Sequence, residues 1–154
     1  MNNIDSIISQ IQQQLEECEK RAYNLYKKVS EYKSDLDYLT REIRNKVQME
    51  IIKHFDRSYS LDDLHILSKD VRKIYEAIEK YRLEINDLET LIKDYIKNIN
   101  KIRYQLEECR KKGDIKTLNE IIKKVGYMQV LINEYEEKLV TIKQQIHKIL
   151  EILV

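Results

Sequence analysis

Residues 78–99 read IEKYRLEINDLETLIKDYIKNI. Within them Ile78, Tyr81, Ile85, Leu88, Ile92, Tyr95 and Ile99 follow one another at alternating steps of three and four. A half-buried strand would place an apolar residue at every second position. A mean step of 3.5 instead keeps all of these side chains on one stripe of an α-helix. Helices that carry such a stripe wind around one another with a left-handed supercoil. The pattern extends back through Ile74, Val71 and Leu67 to Leu64, and forward through Ile102 and Leu106 to Cys109.

Two further runs keep the same rhythm. The first passes from Ile4 through Ile8, Ile11, Leu15, Cys18, Ala22, Leu25, Val29, Tyr32, Leu36 and Leu39 to Ile43. The last passes from Leu118 through Ile121, Val125, Met128, Ile132, Tyr135, Leu139, Ile142, Ile146 and Ile149 to Leu153. Between the first two runs Val47, Ile51 and Phe55 follow at four-residue steps, a stutter that locally unwinds a supercoil. The segment DRSYSLDD then offers Ser60 as a helix N-cap with Asp63 three residues later, which places a turn near 56–60. The second break is KKGD. Gly113 suits the left-handed position just past a helix end, Asp114 suits the next N-cap, and Arg110, Lys111 and Lys112 complement the negative end of the helix dipole.

The expected fold is therefore all-α: an elongated antiparallel coiled coil of three long helices at about 3–55, 61–112 and 115–153, forming a single bundle over 1–154 with turns near 56–60 and 112–114. At about 1.5 Å per residue the first two helices would each run roughly 80 Å. Composition agrees. The 154 residues contain no proline and two glycines, which leaves little to punctuate strands. The chain resembles long helical-hairpin and three-helix coiled coils as a class.

Charge narrows the function. Lys and Arg number 28 against 27 Asp and Glu, so the chain-wide basic excess of a nucleic-acid binder is missing. Residues 1–20 lack the apolar core of a secretory signal, no apolar run is long enough to span a membrane, and two cysteines make no disulfide framework. These features point to a soluble, cytoplasmic protein. The Lys/Ile/Tyr/Glu/Asn-rich usage suits an AT-rich genome, such as that of a thermophile, virus or mobile element.

The pentapeptide QLEEC occurs at 14–18 and again at 105–109. Both copies put Leu and Cys on the seam. If the first two helices fold back near residue 58, Cys18 lies level with about Ile99 and the two thiols are roughly 15 Å apart, too far for a bridge. Both cysteines read as small core hydrophobes. His54 and His65 flank the first turn with Asp56, Asp62 and Asp63, but without metal-ligand spacing, and capping accounts for the acids. No phosphate loop, Cys-x-x-Cys or nucleophile motif is present. No catalytic residue, metal site or cofactor is expected, and the protein reads as a non-enzyme.

Two surfaces are candidates for contact. The third helix carries Ile122, Leu131, Leu150 and Ile152 at positions flanking its seam, with Val130 and Val140 further round. This broad apolar surface is the candidate partner or oligomer face. Residues 97–124 hold nine basic residues against four acidic ones. Arg110, Lys111, Lys112, Lys116, Lys123 and Lys124 form a candidate basic docking tip for an acidic protein surface or a nucleic-acid backbone. The expected role is that of a scaffold, spacer or assembly factor acting through protein–protein contacts or self-association. The alternative is a small regulator or inhibitor that docks its rod or basic tip on a larger enzyme or nucleoprotein complex.

Overall fold

The computed structural model describes residues 3–56 and 61–153, with side chains described outside 50–68, 70, 150 and 152–153. Three helices account for these residues: α1 (Asn3–Asp56), α2 (Leu61–Lys112) and α3 (Ile115–Leu153). No strand occurs among them. The fold is all-α with three helices packed on one another, and the helix bounds agree with the heptad reading to within a residue. The expected first turn and the capping expected of Ser60 and Asp63 lie outside the described residues, as do the side chains of Leu64 and Leu67 and of Ile51 and Phe55 in the stutter.

The second turn is built by its local chemistry. Gly113 has φ +65°, the left-handed conformation that costs a residue with a Cβ about 1–2 kcal/mol. Its N–H donates to the carbonyl of Cys109 at 2.9 Å, which satisfies one of the last free carbonyls of α2. Asp114 then caps α3. Its carboxylate accepts the Thr117 N–H at 3.2 Å and the Thr117 hydroxyl at 2.6 Å, while its backbone carbonyl accepts the Leu118 N–H at 3.2 Å. The Thr117 hydrogen bonds hold the Asp114 carboxyl below its usual range.

The packing divides the chain into two compact units, Met1–Val29 with Leu88–Leu139, and Ser30–Asp87 with Val140–Val154. In the first unit Asp5 faces Arg110 and Glu19 faces Arg103, so α1 and α2 run antiparallel there. Tyr95 meets Met128 and Gln105 meets Lys124, so α3 runs antiparallel to α2. In the second unit Arg82 of α2 reaches Asp37 at 3.1 Å and Thr40 at 3.1 Å on α1. Here α3 contributes only 140–153, against 30–56 and 61–87 from the other helices.

Every buried hydrophobic residue among those described stands on one of the three seams, and no polar or charged residue is buried with them. Ile85, Leu88, Ile92 and Ile99 are all 0% exposed. At about 25 cal/mol per Å² of apolar surface removed from water, this repeated burial is the main favourable term holding the helices together. Seam residues near the start of α2 fare differently. Val71 and Ile74 are only half-buried, consistent with α3 supplying so little of this unit.

Two predictions follow from this packing. Ile85→Asp places an unpaired charge at a fully enclosed position and lowers the unfolding free energy by about 3 kcal/mol or more in urea denaturation; an unchanged midpoint contradicts the seam assignment. The glycines respond in opposite directions. A Cβ at Gly126 meets nothing within 4 Å on a helical backbone, so Gly126→Ala raises stability by about 1 kcal/mol. Gly113→Ala, at φ +65°, lowers it by about 1 kcal/mol. Thermal melts of the two variants separate these signs.

Candidate interaction surfaces

A three-helix coiled coil has three grooves, and in the first unit they differ in how they are closed. The α1/α2 groove carries the ion pairs Arg103–Glu19 and, at 3.9 Å, Arg110–Asp5. The α1/α3 groove is clasped by Arg21, whose Nε donates to Glu136 at 2.7 Å and whose Nη2 donates to Asn133. Across the α2/α3 groove the corresponding contact is neutral at one end: the Lys124 ammonium donates to the Gln105 side-chain carbonyl at 3.3 Å. A surface groove of about 460 Å³ opens there, floored by Ile102, Met128 and Leu131 and walled by Tyr127. Its rim carries Lys101, Lys123 and Lys124, and no carboxylate lines it.

The seam tyrosines meet the need to satisfy a buried hydroxyl. Tyr95 is 2% exposed, and its hydroxyl donates to the backbone carbonyl of Met128 at 2.8 Å. That carbonyl lies inside α3 and has a second lone pair to offer. Tyr135 packs edge-on against Tyr95, with ring centroids 6.0 Å apart. Burial, and then Cys18 beside the hydroxyl, push the Tyr95 phenol well above its ordinary value of 10.0. Tyr32, Tyr81 and Tyr135 are half-buried at the seam edge.

The two QLEEC copies have the same heptad phase and different surroundings. Leu15, Cys18, Leu106 and Cys109 are all buried, and both thiols are free. Cys18 lies by Tyr95, whereas the Cys109 thiol donates to the Asp114 carbonyl at 2.9 Å and so joins the second turn. Burial pushes the Cys109 thiol up from its usual range.

The candidate basic tip is less basic in the fold than along the chain. Asp5 of α1 meets Arg110, and Glu19 meets Arg103, so α1 brings acids alongside the basic stretch of α2. Arg110 also lies 4.0 Å from Glu107, and Lys112 lies 4.0 Å from Glu108. Lys116 helps to depress the Asp114 carboxyl. Lys111 and Lys123 make no hydrogen bond or ion pair among the described residues.

The candidate α3 face does not form one stripe. Ile122, 42% exposed, and Val130, 53% exposed, lie on the outer side of the first unit. Leu131 instead turns into the groove with α2. Val140, 54% exposed, belongs to the second unit, and the Leu150 and Ile152 side chains lie outside the described residues. Lys101, Tyr104 and Tyr127 were not among the candidate residues. Tyr104 and Tyr127 are 69% and 63% exposed, and their large solvent-facing rings are the sequence signal that marks them.

A trough of about 870 Å³ runs along α2 in the second unit, lined by residues from Val71 to Asp87 of that helix alone. It is therefore an open helix surface. No group of three or more His, Cys, Asp or Glu among the described residues is placed to hold a metal ion, and no helix among them is long and apolar enough to cross a membrane. The side chains of His54 and His65 and of Asp56, Asp62 and Asp63 lie outside the described residues. No protein-family model, curated protein or solved structure matches the chain.

Tyr95→Phe removes the hydroxyl and leaves the ring, so it lowers stability at neutral pH by about 1 kcal/mol. The phenol's pKa is raised by folding, so its contribution is fully present below the unfolded value and is lost as pH rises beyond it. Unfolding measured on either side of pH 10.0 therefore shows wild-type stability falling on the alkaline side, with a shallower fall in Tyr95→Phe. Equal alkaline slopes contradict the assignment.

Proposed function

We propose that the protein is a non-enzymatic coiled-coil interaction protein, a scaffold, spacer or assembly factor that works through protein–protein contacts in the cytoplasm. The observation that carries the reading is the exposed apolar ridge of α3. Ile122, Gly126 and Val130 follow one another at i, i+4 and i+8 on the outer side of the first unit, and Ile115, 59% exposed, stands one heptad before Ile122. The chain's own helices leave this ridge uncovered. Rows at i±4n are the ridges that helices use to pack on one another, and the bare Gly126 lets a second helix approach closely. The two buried free thiols suit a reducing compartment.

The competing reading is a regulator or inhibitor that docks on a larger enzyme or nucleoprotein complex by its basic tip. The acids that α1 brings alongside that tip weaken it.

Sedimentation velocity at micromolar concentrations tests the proposal. The wild type associates as concentration rises, and Ile122→Glu with Val130→Glu restores the monomer. Both positions are exposed, so the melting temperature of the double variant stays near that of the wild type. A wild type that remains monomeric, or a double variant that still associates, overturns this use of α3.

A further inference from the structure

We propose that the α2/α3 groove of the first unit is a docking site for an acidic amphipathic helix of a partner protein. The inference rests on the protein–protein reading above and adds a second surface to it, with a partner of defined chemistry. Three observations converge on this groove.

The first is the difference in charge between the grooves. Arginine–carboxylate pairs span the other two, Arg103–Glu19 and Arg110–Asp5 on one side and Arg21–Glu136 on the other. At the α2/α3 groove the lysines lack such partners. Lys101 and Lys123 make no hydrogen bond or ion pair among the described residues, and Lys124 finds only the neutral Gln105. A coiled coil ordinarily places opposite charges at the positions flanking its seam, where they set partner choice and orientation. Around Lys101, Lys123 and Lys124 no carboxylate lines the groove, and the acids Glu108, Asp114 and Glu120 stand only further on, toward the turn.

The second is the floor. Ile102, Met128 and Leu131 line the depression, and Tyr127 forms a wall while remaining 63% exposed. Tyrosine is enriched among residues that dominate binding energy, because it offers a large rigid area and a polar end. Ile102 and Met128 are 5% and 4% exposed, so Leu131 and Tyr127 supply most of the accessible apolar surface.

The third is extent. A second depression, of about 210 Å³, adjoins the groove toward the turn and shares Gln105 and Lys124 with it, but Glu108, Asp114 and Glu120 line it. The acidic flanks of a docked helix therefore lie over the first depression, and the turn end rejects them. Tyr104, 69% exposed, stands at this end.

A helix laid in this groove would place its apolar i, i+3, i+4 and i+7 side chains over Met128, Leu131 and Tyr127. Its flanking glutamates would face Lys101, Lys123 and Lys124. Lysine rims act mainly by raising the rate of encounter and by rejecting basic competitors. The lysines thus select the sign of the partner, and the apolar floor and Tyr127 hold it.

The test uses the full chain and two synthetic fluorescein-labelled amphipathic helices of about four turns. They share one leucine face; one carries glutamate on its flanks and the other lysine. Fluorescence anisotropy at low and high salt reports binding. The expected result is saturable binding of the acidic helix only, weakening as salt rises. Lys101→Glu with Lys123→Glu reduces its affinity about tenfold or more, and Tyr127→Ala reduces it about thirtyfold, with both variants retaining the wild-type melt. Failure of the acidic helix to bind, equal binding of both helices, or binding unaffected by these substitutions overturns the proposal. So does a single-stranded oligonucleotide that competes the acidic helix off the groove. These outcomes are independent of the sedimentation result. A groove that fails while Ile122 and Val130 still drive association removes this site alone.

Discussion

The structure depends on one constraint: an apolar side chain must leave water at every 3.5 residues along three helices at once. Most helical stability in a protein comes from tertiary packing of an apolar face rather than from helix propensity. The seams supply that packing. Residues such as Leu15, Ile99 and Ile132 are 0% exposed. No polar or charged residue is buried among those described, and Met128 meets the hydrogen-bonding demand of the Tyr95 hydroxyl, while at the seam's flank the enclosed Arg82 Nε has Glu79 at 3.5 Å and no hydrogen bond. Specificity of packing must therefore come from shape and from the flanks.

The flanks are where the charges act. Exposed ion pairs contribute little individually, with a median of about 0–1 kcal/mol. Their arrangement still matters. Glu19 with Arg103 and Asp5 with Arg110 are consistent with one antiparallel register for α1 and α2, and a shift by a heptad would separate them. Arg21 does the same for α1 and α3 through Asn133 and Glu136. A surface that satisfies its own charges in two grooves and leaves lysines unmatched in the third is asymmetric in a way that core packing does not require. That asymmetry, together with the bare ridge of α3, is what the functional reading draws on.

Much of the fold was legible in the sequence because the heptad signal is local and repeated. Ile78 to Ile99 reads as a helix without knowledge of its neighbours, and Gly113 followed by Asp114 reads as a helix end and a helix start by backbone chemistry alone. The surfaces were less legible because they depend on which helix lies beside which. The lysines and arginines of 97–124 look like a basic tip until α1 brings Asp5 against Arg110 and Glu19 against Arg103. Leu131, Ile122 and Val130 look like one apolar face until the packing sends Leu131 into a groove and leaves the others outside. The partner of the Tyr95 hydroxyl was foreseeable as a need and not as an atom, since a helical carbonyl carries no mark in the sequence.

An aspartate scan through residues 118–132 of α3, read by urea denaturation, tests the central claim most directly. The account predicts deep losses of stability at Leu118, Ile121, Val125, Met128 and Ile132, with small changes between them. A flat profile, or one that alternates every second residue, would contradict it.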